Sequence, residues 1–211
     1  AKIAGVPLSK CVYAGVGKTD TEIRYAISEG LGATDGLGLF NCESEEEFEN
    51  IAAIARDMRA TIRVALRINP DVDPKTHRYT STGKRESKFG VDLERALAFF
   101  RSYGRDPFVS LRGIHLHIGS PVYTTAPYLE SVTKALALMD ELTAEGFQID
   151  TLDLGGGFGA DYESDQSPLA EEYANVIVPL LRDRVTKGLR IILEPGRTIA
   201  ANAGVLLTKV E

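Results

Sequence analysis

The 211 residues carry a net charge of −6, and 44% of them are hydrophobic. That balance offers no electrostatic footprint for a nucleic acid or an anionic membrane, and no apolar run reaches the roughly 18 residues of a membrane span. The length suits one domain with a real core. The opening Ala1-Lys2-Ile3-Ala4-Gly5-Val6-Pro7 lacks the apolar centre of a signal peptide. Cys11 and Cys42 each lie in an apolar run and read as buried free thiols, which suits a cytoplasmic protein.

Along the chain, strands and helices alternate. Cys11–Ala14 reads as a short strand closed by Gly15. Thr19 or Asp20 can cap a helix that stops at Gly30, and residues 31–38 are glycine-rich and irregular. Residues 39–42 form a second strand. Ser44 with Glu47 three residues on predicts a capping box and a helix to about Ala60, with Glu45, Glu46 and Glu47 as its solvated first turn. Residues 61–68 form a third strand, and residues 69–90 a long polar connection of the kind that is usually functional or mobile. A helix over 92–103, a strand over 109–118 and a helix over 128–145 follow. Then come a strand over 149–154, a helix over 169–187 that Pro179 should kink or break, and a strand over 190–193. Residues 204–210 read as one more strand.

Near-continuous apolar strands separated by helices predict a parallel sheet covered by helices. The polar and glycine motifs fall at the carboxyl ends of strands, at Asn69, His117, Gly155 and Glu194. A (β/α)8 barrel of the TIM type builds its active site on that face, with phosphates often bound after the last strands. A doubly wound sheet would place its fingerprint glycines after the first strand, and here they come late. The barrel is therefore the expected fold. Six strand–helix units are legible where a barrel has eight, and a barrel usually takes roughly 250 residues. The chain reads as an open barrel or as part of a longer one.

Three consecutive glycines, Gly155-Gly156-Gly157, follow the fifth strand. They offer backbone N–H groups that a phosphate can approach closely. The next strand ends in Glu194-Pro195-Gly196-Arg197, which adds a carboxylate, a glycine and a guanidinium. His115-x-His117 puts two imidazoles at one strand end. This pair could serve a metal-dependent barrel hydrolase, but no cluster of further ligands accompanies it, and no metal site is expected. A ligand-facing His117 with His115 satisfied in the barrel wall fits better. Gly15-Val16-Gly17-Lys18-Thr19 is not a P-loop, because Val12 stands where that pattern requires glycine.

Read together, Gly15-Val16-Gly17-Lys18-Thr19, Asn41-Cys42-Glu43-Ser44, Arg67-Ile68-Asn69-Pro70, Ser81-Thr82-Gly83, Ser87-Lys88-Phe89-Gly90, His115-Leu116-His117-Ile118-Gly119-Ser120, Leu152-Asp153-Leu154-Gly155-Gly156-Gly157 and Glu194-Pro195-Gly196-Arg197 come in an order that resembles one family. It is the diaminopimelate decarboxylase family of fold type III, alanine-racemase-like pyridoxal-phosphate enzymes. The resemblance runs from about residue 9 to residue 211. The pattern departs from the family at Pro121, where a glutamine is usual, and at Leu31–Gly36, which reads as an insertion.

The resemblance implies a pyridoxal 5'-phosphate cofactor held by His117, Ser120, Gly155, Gly156, Gly157, Glu194, Gly196 and Arg197. His117 would stack on the ring, and Glu194 would meet the pyridine nitrogen. Arg197 would bind a substrate carboxylate. The implied reaction is decarboxylation of meso-2,6-diaminopimelate to L-lysine, with an amino acid as the small-molecule partner and a homodimer as the full-length form. The resemblance also implies a Schiff-base lysine on a barrel strand upstream of residue 1, and a β-rich second domain toward which residues 204–211 lead. Residues 1–211 would then be a partial barrel lacking its first two strands, without a catalytic residue of its own and inactive alone. A decarboxylase for another basic amino acid and a non-catalytic homologue are the alternatives on the same fold.

Overall fold

Apolar runs without polar alternation become strands buried on both faces. All four residues of β2 (Leu39–Cys42) are buried, as are seven of the eight in β3 (Ile62–Asn69). The computed structural model describes residues 1–30, 38–74, 89–161, 167–205 and 207–209. Its other strands are β1 (Val12–Tyr13), β4 (Val91–Asp92), β5 (Val109–His115), β6 (Thr151–Asp153) and β7 (Arg190–Ile192). The helices are α1 (Asp20–Gly30), α2 (Glu45–Asp57), α3 (Leu93–Tyr103), α4 (Ala126–Ala144), α5 (Ala170–Thr186) and the short α6 (Gly196–Ala200). The strand order is β1-β2-β3-β5-β6-β7, with every pair parallel, and β4 adds to the far end of β3.

The sheet is curved. Asn41 Nδ2 on β2 donates to Asp153 Oδ2 on β6 at 2.9 Å. These strands are three steps apart, which in a flat sheet would separate them by roughly 14 Å. Two short side chains can meet across that span only if the sheet rolls toward them. This curvature, with parallel strands in sequential order and helices outside, is the wall of a (β/α)8-type barrel.

The helices pack on the outer face through aromatic rings. Phe48 of α2 meets Phe99 of α3 edge-on at 5.3 Å, Tyr103 lies 4.9 Å from both, and Phe100 meets Phe147 at 5.7 Å. An apolar groove runs between α5 and the β7 edge, lined by Leu154, Ile177, Leu181, Ile191 and Leu193.

Three local expectations are corrected. Pro179 does not break α5, which runs unbroken from Ala170 to Thr186. Tyr173, Ile177 and Leu181 on its buried face hold both sides of the proline against the protein, and one missing backbone donor is tolerated. Among the described residues of 204–210 there is no strand. Val205 and Leu207 are exposed, and no described strand pairs with them. The first turn of α2 is not wholly solvated. Ser44 Oγ does accept the Glu47 N–H, but the Glu47 carboxylate bypasses the Ser44 N–H and takes that of Glu43 at 2.7 Å. It also pairs with the buried Lys18 ammonium at 3.0 Å. The glycine-rich stretch 31–37 and residues 75–88 of the polar connection lie outside the described residues.

Phe99 is fully buried at the centre of the α2–α3 aromatic cluster. Phe99→Ala is expected to destabilise the fold by about 3–5 kcal/mol through lost burial and a residual cavity, measured as a lowered urea midpoint with unchanged slope.

Candidate active site

Polar residues gather where the strands end. Asn41, Arg67, His115 and Asp153, from β2, β3, β5 and β6, are all buried, with Glu43 just beyond β2. Glu194 lies two residues past β7. Arg67 Nη1 holds both oxygens of Glu43, at 2.8 and 3.0 Å, and its Nη2 donates to the His117 carbonyl at 3.2 Å. Its guanidinium also lies over the Phe89 ring at 5.1 Å. Lys18 spends its ammonium on the carbonyls of Gly15 and Asn41 and on Glu47. It is a structural cation that ties the β1–α1 turn to β2.

The glycine loop rests on this layer. Asp153 Oδ1 accepts the Gly155 N–H at 2.9 Å, and His117 Nδ1 accepts the Gly156 N–H at 3.2 Å. The N–H groups of Gly155 and Gly156 therefore hold the loop itself, and only that of Gly157 is left open by the described bonds. Glycine is required here for steric reasons. A Cβ on Gly155 would strike the Leu116 carbonyl, one on Gly156 the Glu194 carbonyl and one on Gly157 the Gly119 carbonyl. Gly155 and Gly157 also have φ of +65° and +92°.

Beneath the loop, Tyr128 of α4 donates its hydroxyl to the Gly156 carbonyl at 2.9 Å and stacks on Phe158 at 4.9 Å. Tyr173 of α5 donates to the Val122 carbonyl at 2.6 Å and accepts the Gly159 N–H at 3.2 Å. Two helices thus brace the loop through phenols that burial keeps un-ionised.

Ser120 and Arg197, far apart in sequence, are joined: Arg197 Nε donates to Ser120 Oγ at 3.0 Å. The Gly196 N–H turns back to the Glu194 carbonyl at 2.7 Å, and nothing lies within 4 Å of its vacant Cβ position. Gly196 contributes open space here, and its own donor is engaged.

The two histidines are not equivalent. Burial pushes His115 down to about 4, with the Arg67 charge adding to the effect and Asp153 opposing it. Burial does the same to His117, also to about 4, again aided by Arg67. Both imidazoles are neutral at neutral pH. His115 is not satisfied in the barrel wall as expected, since neither ring nitrogen has a hydrogen-bond partner. The side chains close enough to share an ion, among the described residues, are His115, Asp153 and Glu194, whose ligand atoms lie within 4.8 Å of one another. His117 is not among them, so the His115–His117 pair does not converge as a metal-hydrolase reading requires.

Sequence reasoning picked out His117, Ser120, the glycine loop, Glu194, Gly196 and Arg197, and all lie at one end of the sheet. It did not assign site roles to Asn41, Glu43, Arg67, Tyr128 or Asp153. A polar residue near the carboxyl end of a mostly apolar strand was the available signal for Asn41, Arg67 and Asp153. Nothing local marks Tyr128, which sits in an amphipathic helix like any core residue.

A curved parallel sheet with a glycine loop after β6 and a Glu-Pro-Gly-Arg turn after β7 has the architecture of a (β/α)8-type barrel whose carboxyl face suits a phosphate. The family described as pyridoxal-dependent decarboxylase, pyridoxal binding domain, matches residues 1–201, and this chain belongs to it. Diaminopimelate decarboxylase of Aquifex aeolicus is 43% identical over 213 residues, covering 100% of this chain and 48% of that protein. The Vibrio cholerae enzyme of the same name is 43% identical over 208 residues, covering 99% and 48%. The crystal structure of diaminopimelate decarboxylase from Helicobacter pylori complexed with L-lysine superposes with a TM-score of 0.85 at 35% identity, covering 94% of this chain and 48% of that one. The chain thus spans about half the length of the relatives it matches. No helix among the described residues is long and apolar enough to cross a membrane.

Two measurements test this electrostatic layer. Arg67→Ala leaves Glu43 buried without its cation and is expected to cost about 3–5 kcal/mol, read from urea unfolding. Acid should also weaken the fold through the histidines. Their folded values near 4 lie below the ordinary 6.5, so the unfolded chain takes up protons first. Stability is then full above pH 6.5 and falls through the window from 6.5 to about 4. Asp153, raised by burial, offsets part of the loss at the acid end. Urea midpoints at a series of pH values should fall in that window, and more gently in His117→Gln.

Proposed function

We propose that this chain is the pyridoxal-phosphate-binding part of an enzyme that removes CO2 from the D-centre of meso-2,6-diaminopimelate to give L-lysine. The observation that carries the reading is the meeting of Ser120, Arg197 and the Gly157 N–H beside a neutral His117 and the Glu194 carboxylate. This donor set suits a phosphate joined to a flat, basic ring, and relatives 43% identical to this chain bear the decarboxylase name.

The residues fit the cofactor on their own chemistry. Ser120 Oγ, Arg197 and the Gly157 N–H can donate to a phosphate dianion, and a Cβ at Gly155, Gly156 or Gly157 would displace the loop that presents it. His117, neutral and anchored through Nδ1 to the loop, offers a ring face to the pyridine. Glu194 can keep the pyridine nitrogen protonated. Arg197 also suits a substrate carboxylate. When bound, the cofactor supplies the electron sink for the bond that breaks as CO2 departs. Lys18 takes no part in that chemistry, since its ammonium is committed to three oxygens. A homodimeric, cytoplasmic protein completes the reading, and the free Cys11 and Cys42 thiols suit a reducing compartment.

The full-length protein carrying this chain should release L-lysine from meso-diaminopimelate when supplied with pyridoxal phosphate. Turnover of L-ornithine or L-arginine in its place would move the substrate assignment, and no turnover of any of the three would reject the decarboxylase. Gly157→Ala should weaken cofactor binding by on the order of tenfold or more, because a left-handed alanine alone costs about 1–2 kcal/mol.

A further inference from the structure

His115 is the last residue of β5, with its side chain 2% exposed, and neither imidazole nitrogen has a hydrogen-bond partner. A fully buried, unpaired imidazole is costly, and native interiors rarely keep one without a reason. Its surroundings suggest the reason. Asp153 stands on the neighbouring strand in register with it, locked by Asn41 and the Gly155 N–H. Glu194, just past β7, also approaches the ring, with its Oε2 3.8 Å from His115 Nε2. Among the described residues, no side-chain hydrogen bond fixes the Glu194 carboxylate, which is 30% exposed. The charges around the imidazole are Asp153, Arg67, Glu43 and Lys18, and all four are themselves bound into the barrel layer by hydrogen bonds or ion pairs.

We propose that His115 is a positioning residue for Glu194. It carries its proton on Nε2 and donates it to Glu194 Oε2, so that the second carboxylate oxygen stays free for the ring nitrogen of the cofactor. A neutral imidazole has one donor and one acceptor, and the rigid Asp153 beside it keeps the ring from turning away. Closing a gap of 3.8 Å to a hydrogen bond requires only a rotation of the partly exposed Glu194 side chain. His115 never touches the cofactor, and it acts only through Glu194. This inference rests on the pyridoxal-phosphate reading above.

The test compares two ligands in the full-length protein: pyridoxal phosphate, and its 1-deaza analogue, which lacks the ring nitrogen. Dissociation constants are measured by fluorescence titration. His115→Phe should weaken binding of pyridoxal phosphate by about tenfold, the scale of one charge-assisted hydrogen bond, and leave the deaza analogue within about twofold. Against a Glu194→Ala background the same substitution should cost nothing further. Equal losses for both ligands, or no loss, would overturn the positioning role and leave the cofactor reading standing. Failure of the unmodified protein to bind pyridoxal phosphate would reject both.

If His115→Phe fails to fold, His115→Ala serves instead with the same expected outcomes, and His115→Gln, which keeps a donor, should bind pyridoxal phosphate more tightly than either. An independent readout needs no cofactor. The chain has three histidines, so their imidazole 15N resonances can be assigned. His115 should show the Nε2–H tautomer, and its Nε2 resonance should move in Glu194→Ala. The opposite tautomer, or an unmoved resonance, would also overturn the proposal.

Discussion

The hydrogen bond from Asn41 to Asp153 crosses the concave face of the sheet and joins strands that are not neighbours. It can exist only because the sheet rolls up, and the roll brings the strand ends together. Asp153 uses its second oxygen to take the Gly155 N–H, which starts the turn of the glycine loop. One carboxylate therefore links curvature to loop geometry. It is fully buried, and burial pushes its carboxyl above the usual range. That cost is met by hydrogen bonds at both oxygens, as buried carboxylates require.

The same end of the barrel holds two further ion pairs, Arg67–Glu43 and Lys18–Glu47. Buried pairs are weak evidence for stability, because desolvation offsets much of the attraction. Their value here is registry. Arg67 reaches from β3 to the segments after β2 and after β5, and Lys18 reaches from the β1–α1 turn to β2 and α2. Apolar side chains of equal volume could fill the space, but they would not set the strand ends at fixed heights. The charges also act on the histidines, with Arg67 helping to keep both neutral.

The glycine loop is a compromise between access and support. Its three residues have no side chains to pack, and two of its N–H groups are consumed in holding its shape. The support comes from outside, through Tyr128 and Tyr173 on two different helices. Rigidity is thereby placed behind the loop, and the face proposed to meet the cofactor carries no side chain of its own. Such external bracing is what preorganised binding of a fixed dianion needs.

The sequence by itself determined most of the architecture, because hydrophobic periodicity and helix punctuation are local. The apolar runs at 39–42 and 62–68 and the Ser44 cap identify elements from a few neighbouring residues. It also marked the Glu-Pro-Gly-Arg turn and the glycine loop, whose run of glycines signals a close approach of backbone that a side chain would block. The tertiary structure alone decided who pairs with whom. Glu47 looked like a solvated helix-start carboxylate, yet it holds a lysine 29 residues away. Pro179 looked like a helix breaker, yet packing on both sides overrides one lost hydrogen bond. His115 looked like a satisfied wall residue, and its two open nitrogens became evident only when Asp153 and Glu194 were set beside it. Side-chain partners across a rolled sheet depend on curvature and register, and these are properties of the whole sheet that no short window of sequence contains.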